Sequence, residues 1–147
     1  MRRFGEQVVA GQRYRLRPGA YAVLMRGDRF LLTHQAEPKP EFQLPGGGID
    51  PGEGALTALN REVFEETGWS ITGHRRLGAY RRFTYMPEYD RWAEKVCHIY
   101  LARPALRRGP PSEPGHTAFW MSGAEALAAL SNSGDRHFMA KVLRNLG

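Results

Sequence analysis

A chain of 147 residues with 41% hydrophobic and 24% charged residues has the size and composition of one ordinary globular domain, which excludes a disordered chain or a disulfide-stapled miniprotein. Its formal net charge of +6, carried mostly by arginine, favours an anionic partner such as a nucleotide or a nucleic acid without deciding between them. The sequence has no run of 18 apolar residues, no leader-like segment and no disulfide partner for Cys97, so we expect a cytoplasmic protein that does not enter a membrane.

Residues 1–19 are basic and rich in glycine and are expected to form an arm or an edge strand ahead of a folded domain at 20–147. Within that domain, short apolar runs bounded by glycine, proline and polar residues predict strands. In chain order the predicted strands are 20–25, 30–33, 42–44, 77–85, 96–102 and 117–121. The first two flank a turn that contains glycine, which is typical of a β-hairpin. The polar segments 86–95 and 103–115 are predicted as loops.

The first predicted helix follows the capping pattern Asp50-Pro51-Gly52-Glu53 and ends at Gly68, a typical C-terminal stop. Apolar residues recur in it at helical spacing and are expected to face the core. These residues are Leu56, Leu59 and Val63.

Two more helices are predicted near the end of the chain. Ser122 is expected to cap a short helix that runs through Leu130, and 136–146 is predicted as an amphipathic helix. The residues of the last helix that are expected to face inward are Phe138, Val142 and Leu146. Mixed strands with one helix in the middle and two at the end suggest an α/β sandwich.

Three glutamates stand close together on the first helix. Glu62, Glu65 and Glu66 fall on an arc away from the apolar residues, and like charges at this spacing destabilise a helix by a few tenths of a kcal/mol per pair. A bound divalent cation would reverse that effect. Because the candidate ligands are oxygens, the pattern favours Mg²⁺ or Mn²⁺ over Zn²⁺. Arg61, four residues before Glu65, is expected to hydrogen-bond that carboxylate and hold its rotamer.

The spacing around these glutamates resembles the signature of the Nudix hydrolase superfamily. Gly47, five residues, Glu53, seven residues and then Arg61-Glu62-Val63-Phe64-Glu65-Glu66-Thr67-Gly68-Trp69 match G-x5-E-x7-R-E-U-x-E-E-x-G-U, with U aliphatic, at every fixed position. Trp69 is the one departure, at a packing position. The lead-in 44–47 and the segment 120–122 before a helix are also similar, so the resemblance covers about 20–130.

The resemblance implies an α/β/α sandwich with a mixed central sheet and hydrolysis of a pyrophosphate bond in a nucleoside diphosphate linked to another group, by attack of water at phosphorus. It also implies Mg²⁺ or Mn²⁺ as the cofactor. The implied metal ligands are Glu62, Glu65, Glu66 and the backbone carbonyl of Gly46. Glu53 and Gly47 are implied as supporting residues around the site, and Arg61 as the residue that orients a carboxylate for catalysis.

The attacking water needs a carboxylate to accept its proton, and the sequence leaves two candidates. Glu62 lies within the signature. Glu113 lies in the proline-rich loop seven residues before Trp120, where related enzymes bring a glutamate over the metals; a solvated loop residue is the alternative for it. His116 follows the same loop and is the histidine of interest here, although a structural role is the alternative.

Three residues after the signature are expected to contact the substrate because a nucleotide base stacks on an aromatic ring. They are Arg81, Phe83 and Tyr85; for each ring, packing in the core is the alternative. Tyr85 lies sixteen residues beyond Trp69, like a tyrosine associated with dinucleoside polyphosphate hydrolases. The expected order of substrates is therefore dinucleoside polyphosphate, then ADP-ribose or an oxidised (d)NTP.

Other functions stay open at this stage. An RNA 5′ end is a less favoured substrate, because the lead-in 44–47 lacks a glutamine after its proline. A noncatalytic module that binds a nucleotide or RNA is the alternative to an enzyme. The sequence also leaves open whether the chain forms a homodimer.

Overall fold

Residues 1–146 form eight strands and three helices in the computed structural model. The strands are β1 (Arg2–Gly5), β2 (Arg15–Arg26), β3 (Arg29–Gln35), β4 (Glu41–Gln43), β5 (Gly46–Gly48), β6 (Trp69–Met86), β7 (Arg91–Arg107) and β8 (His116–Ser122). The helices are α1 (Ala55–Thr67), α2 (Gly123–Ala129) and α3 (Ser133–Leu146). Within these residues no helix has the length and hydropathy that crossing a bilayer requires.

All the strands belong to one mixed sheet whose main order is β1-β6-β7-β2-β3-β4. Two neighbouring pairs, β1 with β6 and β2 with β7, are parallel, and the other pairs are antiparallel. One edge of β2 is shared between two partners, since β5 pairs with Gly19–Tyr21 and β3 with Leu24–Arg26. The sheet therefore divides beyond Tyr21, and the glycines of β5 are brought beside α1.

Helices cover both faces of the sheet. Ala22 and Leu24 of β2 pack with Leu59 and Val63 of α1, whereas Val23 packs in the cluster on the opposite face. This opposite cluster includes residues of α2 and α3: Ala126, Phe138, Met139 and Val142. Because successive side chains of a strand point to opposite faces, β2 contributes to both cores. The predicted α/β/α sandwich with a mixed central sheet is confirmed.

The hairpin of β6 and β7 is longer than the sequence indicated. The predicted loop at 86–95 is mostly strand, because β7 begins at Arg91 and only residues 87–90 form the turn. β7 also continues to Arg107, well into the second predicted loop. One face of this hairpin is accessible to solvent, so its polar residues interrupt the apolar runs from which strands are predicted.

The start of the chain also differs from the expectation. β1 is an edge strand paired with β6, but 15–19 belong to β2 in the middle of the sheet rather than to an arm. Apart from Leu16 these residues are arginine, proline or glycine, and they lie opposite 93–97 of β7. Backbone pairing with a neighbouring strand decides their conformation, and it leaves no apolar pattern in the sequence.

Two predicted inward residues of the helices are exposed. Leu56 of α1 is 44% exposed and Leu146 of α3 is 56% exposed, whereas Ala58 is buried. α1 begins after Gly54 without a side-chain cap, and α2 begins with a complete capping box between Ser122 and Glu125. The predicted cap at 50–53 is therefore wrong for α1, whereas the prediction that Ser122 caps a short helix is confirmed for α2. Leu56 and Leu146 differ from their predictions because apolar spacing identifies the buried face of a helix only approximately.

Gly68 ends α1 and also touches the segment after β7. Its φ of +79° is in the left-handed region, and a Cβ at this position would overlap the carbonyl oxygen of Gly109. The carbonyl of Gly68 accepts a hydrogen bond from the Arg108 N–H at 2.8 Å. The absence of a side chain therefore lets the loop after β7 lie directly on the end of the helix.

Replacing Gly68 by alanine is expected to reduce the free energy of unfolding by more than the ~1–2 kcal/mol that a left-handed alanine costs, because the loop must also move. Gly52 is a matched control, since its φ is +80° but nothing lies within 4 Å of an added Cβ. Urea unfolding of both variants measures the difference. Equal losses of stability for Gly68→Ala and Gly52→Ala would show that the loop does not depend on this contact.

Candidate active site

The side chain of Glu66 is buried between α1 and β5. It is 6% exposed, and its Oε1 accepts a hydrogen bond from the Gly46 N–H at 3.0 Å. Gly46 has a φ of +143°, and a Cβ there would overlap the backbone of Ala20. Only glycine fits this close crossing of β5 and β2, and the crossing supplies the N–H that holds the glutamate.

Gly47 leaves room for the next carboxylate. A Cβ on Gly47 would lie 2.5 Å from the Cδ of Glu62, so a side chain here would displace that carboxylate. Glu62 is also partly buried, and burial raises its pKa above the usual value of 4.5 while the neighbouring Arg61 opposes this increase. The two glycines thus let two glutamates of α1 pack against the backbone of β5.

Arg61 connects the carboxylates and the loop before α1. Its Nε and Nη2 donate to the two oxygens of Glu53, each at 2.9 Å, and its Nη1 donates to Glu62 at 2.9 Å. Nη2 also donates to the Gly48 carbonyl at 3.2 Å. The prediction that Arg61 hydrogen-bonds Glu65 is wrong, because Nη1 lies 3.7 Å from that carboxylate, which is too far for a hydrogen bond. The bidentate bond to Glu53, which the sequence spacing did not reveal, takes the guanidinium away from it.

The loop after β7 carries Glu113 to the same place. The N–H groups of Ser112 and Glu113 both donate to the Glu65 carbonyl at 2.8 Å. Carbonyls in the last turn of a helix have no partner within the helix, so they are available to bind a loop in this way. The candidate from the proline-rich loop is therefore brought to the end of α1 that bears the other glutamates.

Repulsion among these carboxylates is substantial. Burial raises the pKa of Glu66 well above its usual value, and the hydrogen bond from Gly46 offsets only part of this increase. Three neighbouring charges raise the pKa further, those of Glu62, Glu113 and Glu65. Four carboxylates therefore interact across a small volume, and a cation would reduce the free energy of ionising them.

The four carboxylates fit a hard divalent cation by their chemistry, because they supply only oxygen atoms. In residues 1–146 no three acidic, histidine or cysteine side chains converge as in a formed metal site. Oxygens of two of them are bonded to protein donors instead, since Glu62 accepts from Arg61 and Glu66 from Gly46. Gly46, whose carbonyl was expected to be a ligand, contacts Glu66 through its N–H.

His116 is part of the site although its sequence context gave only a weak signal, its position after the Glu113 loop. Its Nδ1 lies 2.9 Å from the hydroxyl of the buried Thr33 and 3.9 Å from Oε2 of Glu66. Burial lowers the pKa of His116 below 6.5, against a smaller opposite effect of Glu113. The imidazole is therefore neutral at pH 7 and forms a polar contact with the glutamate rather than a full ion pair.

A cavity of about 170 Å³ opens from Glu66 and His116 between the two helical layers. It shares Gln35, Gln43, Arg82 and Lys95 with a second cavity of about 390 Å³ that leads outward along β6. We call the first the inner cavity and the second the outer cavity, and the two together form one cleft. The inner cavity ends at polar groups near the start of α3, namely Tyr80, Asn132 and Asp135.

Arg82 and Lys95 bring two cationic side chains to the cleft, whose lining also includes acidic residues, namely Glu66 and Asp135 in the inner cavity and Glu6 and Glu88 in the outer cavity. Neither cation has a carboxylate within 4 Å among residues 1–146. Burial lowers the pKa of Lys95, and the nearby Arg82 lowers it further. Two adjacent cations without an acidic partner favour an anionic ligand in this position.

The residues expected to contact the substrate lie mostly on the other face of β6. Phe83 packs edge-on against Tyr14 with 4.9 Å between ring centroids, and Arg81 lies over the Phe83 ring. Tyr85 borders the outer cavity, but its ring packs against Trp92. Alternation along the strand explains the difference, since the even-numbered residues of this stretch face the cleft. Sequence reasoning selected the aromatic face and missed Arg82.

A buried carboxylate closes the inner cavity. The two oxygens of Asp135 accept hydrogen bonds from the Leu44 N–H at 3.2 Å and from the Tyr80 hydroxyl at 3.0 Å. Burial raises the pKa of Asp135 from 3.8 to about 6, and these hydrogen bonds limit the increase. Asn132 caps α3 next to it, because its Oδ1 accepts from Gly134 N at 2.8 Å. The sequence placed this stretch before the last helix and gave no sign that it reaches the site.

Comparisons with known proteins show which sequences and folds this chain is similar to. A family model described as the NUDIX domain matches residues 15–142. A putative 8-oxo-dGTP diphosphatase from Bacillus subtilis (strain 168) is 34% identical over 70 residues, which are 48% of this chain and 47% of that protein. An RNA pyrophosphohydrolase from Serratia proteamaculans (strain 568) is 35% identical over 85 residues, which are 55% and 49% of the two chains. The chain thus spans about half the length of the curated relatives it matches.

Two solved structures have the same fold. A NUDIX hydrolase from Nitrosomonas europaea matches with a TM-score of 0.72 and 20% identity, covering 89% of this chain and 90% of that one. A MutT NUDIX hydrolase from Burkholderia pseudomallei matches with a TM-score of 0.69 and 24% identity, covering 87% and 98%. At these identities the likeness establishes the fold alone.

The hydrogen bonds from Arg61 hold the pKa of Glu53 at about 2, below its usual 4.5. Arg61→Gln is expected to return this pKa toward 4.5, which a ¹³C NMR titration of glutamate carboxyls measures directly. The ion pair stabilises the fold above pH 4.5, and this contribution disappears as the pH falls toward 2. Arg108→Gln is the control and should leave the Glu53 pKa unchanged. A Glu53 pKa near 2 in Arg61→Gln would show that Arg61 is not the cause of the lowered pKa.

Asp135 has the opposite pH dependence. Its folded pKa of about 6 lies above the usual 3.8, so the wild-type protein loses stability as the pH rises from about 4 to about 6. The loss is roughly 3 kcal/mol in total. Asp135→Asn cannot ionise, so its stability relative to wild type should increase by this amount between pH 4 and pH 7. Urea unfolding at both pH values measures it, and parallel pH profiles of the two proteins would contradict the assignment.

Proposed function

Because the chain belongs to the NUDIX family, we propose that it hydrolyses a pyrophosphate bond in a nucleotide with the help of Mg²⁺ or Mn²⁺. One observation supports this above all. Glu66, whose ionisation is opposed by the charges of Glu62, Glu65 and Glu113, lines the same cleft as Arg82 and Lys95, and neither of these cations has a carboxylate within 4 Å among residues 1–146. A substrate that carries both a metal-binding phosphate and further negative charge suits both sets of side chains.

The proposed metal ligands are the carboxylates of Glu62, Glu65 and Glu66, with Glu113 and the Gly46 carbonyl as further oxygen donors. A divalent ion bound there supplies charge stabilisation to the phosphate oxygens at which negative charge develops. The protein has to hold the glutamates close together before the ion binds. The Gly46 N–H and the Arg61 guanidinium do this by bonding one oxygen each of Glu66 and Glu62.

Glu62 and Glu113 are the proposed proton acceptors for the attacking water. Partial burial raises the pKa of Glu62, which makes its carboxylate a stronger base. Glu113 is exposed and lies on a loop, so it can approach a bound substrate without rearranging α1. The two alternatives differ in the pH–rate profile, because replacing the base removes the acidic limb of that profile.

Arg82 and Lys95 are the proposed partners of the phosphate that is not attacked. They lie in the wall shared by the inner and outer cavities, beyond Glu66 from the other glutamates. The outer cavity, at about 390 Å³, has the volume of a small-molecule pocket. The rest of the nucleotide is proposed to occupy this cleft.

The order of substrates changes with the structure. Dinucleoside polyphosphates were placed first because of Tyr85, but its hydroxyl donates to Asp90 and its ring packs on Trp92, away from the inner cavity. The curated relatives are named for 8-oxo-dGTP and for RNA. We therefore place an oxidised nucleoside triphosphate first and an RNA 5′ end second, followed by dinucleoside polyphosphates and ADP-ribose.

The test uses these four substrates with Mg²⁺ in ¹⁸O-water and mass spectrometry of the products. Wild type is expected to release a nucleotide product from at least one of them, with ¹⁸O on the phosphorus that water attacks. Glu66→Gln should lower kcat by at least ~10²-fold, because it removes a charge from the metal site and a buried acceptor. Glu37→Gln, in an exposed loop, is the matched control and should keep full activity.

Metal binding is measured separately, from the rise in melting temperature that Mg²⁺ causes. A wild-type protein that is stabilised by Mg²⁺ but hydrolyses none of the substrates would favour the noncatalytic nucleotide-binding alternative. A protein that gains no stability from Mg²⁺ or Mn²⁺ would contradict the proposed metal site itself.

A further inference from the structure

Most of the aromatic segment at the end of the β6–β7 hairpin lies outside the cleft of the proposed reaction. Phe83 lies on the face of β6 opposite to Arg82 and Thr84, which line the cleft, and Tyr85 borders the outer cavity while its ring packs against Trp92. A separate cavity of about 600 Å³ lies on this aromatic side. None of the four glutamates lines it.

This groove, which we call the hairpin groove, is formed by the turn of the hairpin and the segment before β2. It is lined by Gln12, Arg13, Tyr14, Arg15, Asp90, Arg91 and Trp92. Tyr14 and Trp92 meet edge to face with 6.0 Å between ring centroids, and both rings are half-buried. The groove therefore combines partly exposed aromatic rings with arginines along one wall.

The rings are held in place before any ligand binds. The Tyr14 hydroxyl accepts a hydrogen bond from the Val9 N–H at 3.0 Å, and its ring packs edge-on against Phe83. Trp92 contacts the ring of Tyr85 at 5.3 Å, and the hydroxyl of Tyr85 donates to Asp90. Fixed rings lose little conformational entropy when a flat group stacks on them.

The charge of the groove is positive and not neutralised. Arg13, Arg15 and Arg91 are exposed, and none of them has a carboxylate within 4 Å among residues 1–146. Asp90 is the one acidic residue in the lining, and its Oδ1 accepts the hydrogen bond from Tyr85. Exposed arginines without partners attract phosphate groups, which they bind through a planar fork of donors.

Arginines beside accessible rings suit one class of ligand. Proteins that bind single strands combine a positive groove for the backbone with aromatic side chains on which unpaired bases stack. A duplex offers its phosphates but hides the faces of its bases, so it would use only the arginines. From this combination we propose that the hairpin groove binds single-stranded nucleic acid, with Arg13 and Arg91 at phosphates and Tyr14 and Trp92 against bases.

This binding goes beyond the proposed hydrolysis and needs neither metal nor a pyrophosphate bond. The probes are therefore oligo-U and oligo-dT of about 12 nucleotides with 5′-hydroxyl ends and a 3′ fluorophore, titrated in EDTA and followed by fluorescence anisotropy. Failure of hydrolysis does not affect this measurement, and failure of binding does not affect the substrate panel. Comparing the affinities for oligo-U and oligo-dT shows whether the groove prefers RNA or DNA. A blunt duplex tests whether binding requires unpaired bases.

Wild type is expected to bind a single-stranded probe, with log K falling against log[salt] by about 0.7 for each phosphate contact. Arg13→Gln/Arg91→Gln should weaken binding at least ~10-fold near 50 mM salt and reduce the slope by about 1.4. Arg103→Gln/Arg107→Gln removes the same charge from exposed positions at the far end of β7. This control should change affinity by less than ~3-fold if the groove rather than overall charge binds the probe.

Tyr14→Leu tests stacking, since it keeps an apolar side chain while removing the ring. It should weaken binding to single strands and leave the weaker binding to duplex unchanged, with circular dichroism confirming the fold. Wild-type affinity in the Arg13/Arg91 variant, or an equal loss in the Arg103/Arg107 variant, would overturn the proposal. Sedimentation provides a third check: a dimer that dissociates in Tyr14→Leu, together with no binding of oligonucleotide, would identify the groove as an interface between copies and also overturn it.

Discussion

Repulsion among the glutamates at the end of α1 is the constraint on which the site depends. Glu62 and Glu66 are held against glycine backbone, and Glu65 and Glu113 add charge close by. Arg61 reduces the repulsion, because it binds Glu53 and Glu62 together. Arg61 thus neutralises part of the negative charge of the glutamates in the folded protein. The negative charge that remains favours binding of a divalent cation.

Two features of the tertiary structure create this arrangement. The divided edge of β2 brings β5 beside α1, and the glycines of β5 let its backbone approach the carboxylates without a side chain between them. The loop after β7 then binds to the free carbonyls at the end of α1, which places Glu113 there. Both features satisfy ordinary backbone hydrogen bonding, so the structure that forms the site also stabilises the helix end.

Because side chains alternate along its strands, the β6–β7 hairpin places cationic residues on one face and aromatic residues on the other. Its cleft face carries Arg82 and Lys95, which line the inner and outer cavities, and its other face carries the rings that pack around Tyr14 and Trp92. A single pair of strands therefore carries two surfaces with cationic side chains that are unpaired among residues 1–146, one for each of the two proposed ligands. The two surfaces lie on opposite sides of the sheet, so each can be altered without direct contact with the other.

The sequence by itself determined the family, the sandwich fold and the presence of clustered glutamates, because these depend on spacing along one helix and one short loop. Gly46, Gly47 and Gly68 were also recognisable as special positions, since glycine is used where backbone must approach closely or turn. Only the tertiary structure decided which carboxylate Arg61 binds, which face of β6 meets the cleft, and that His116 and Asp135 reach the inner cavity. Those contacts join residues from distant strands, whose pairing and rotation are set by backbone hydrogen bonds and packing that leave no pattern along the chain.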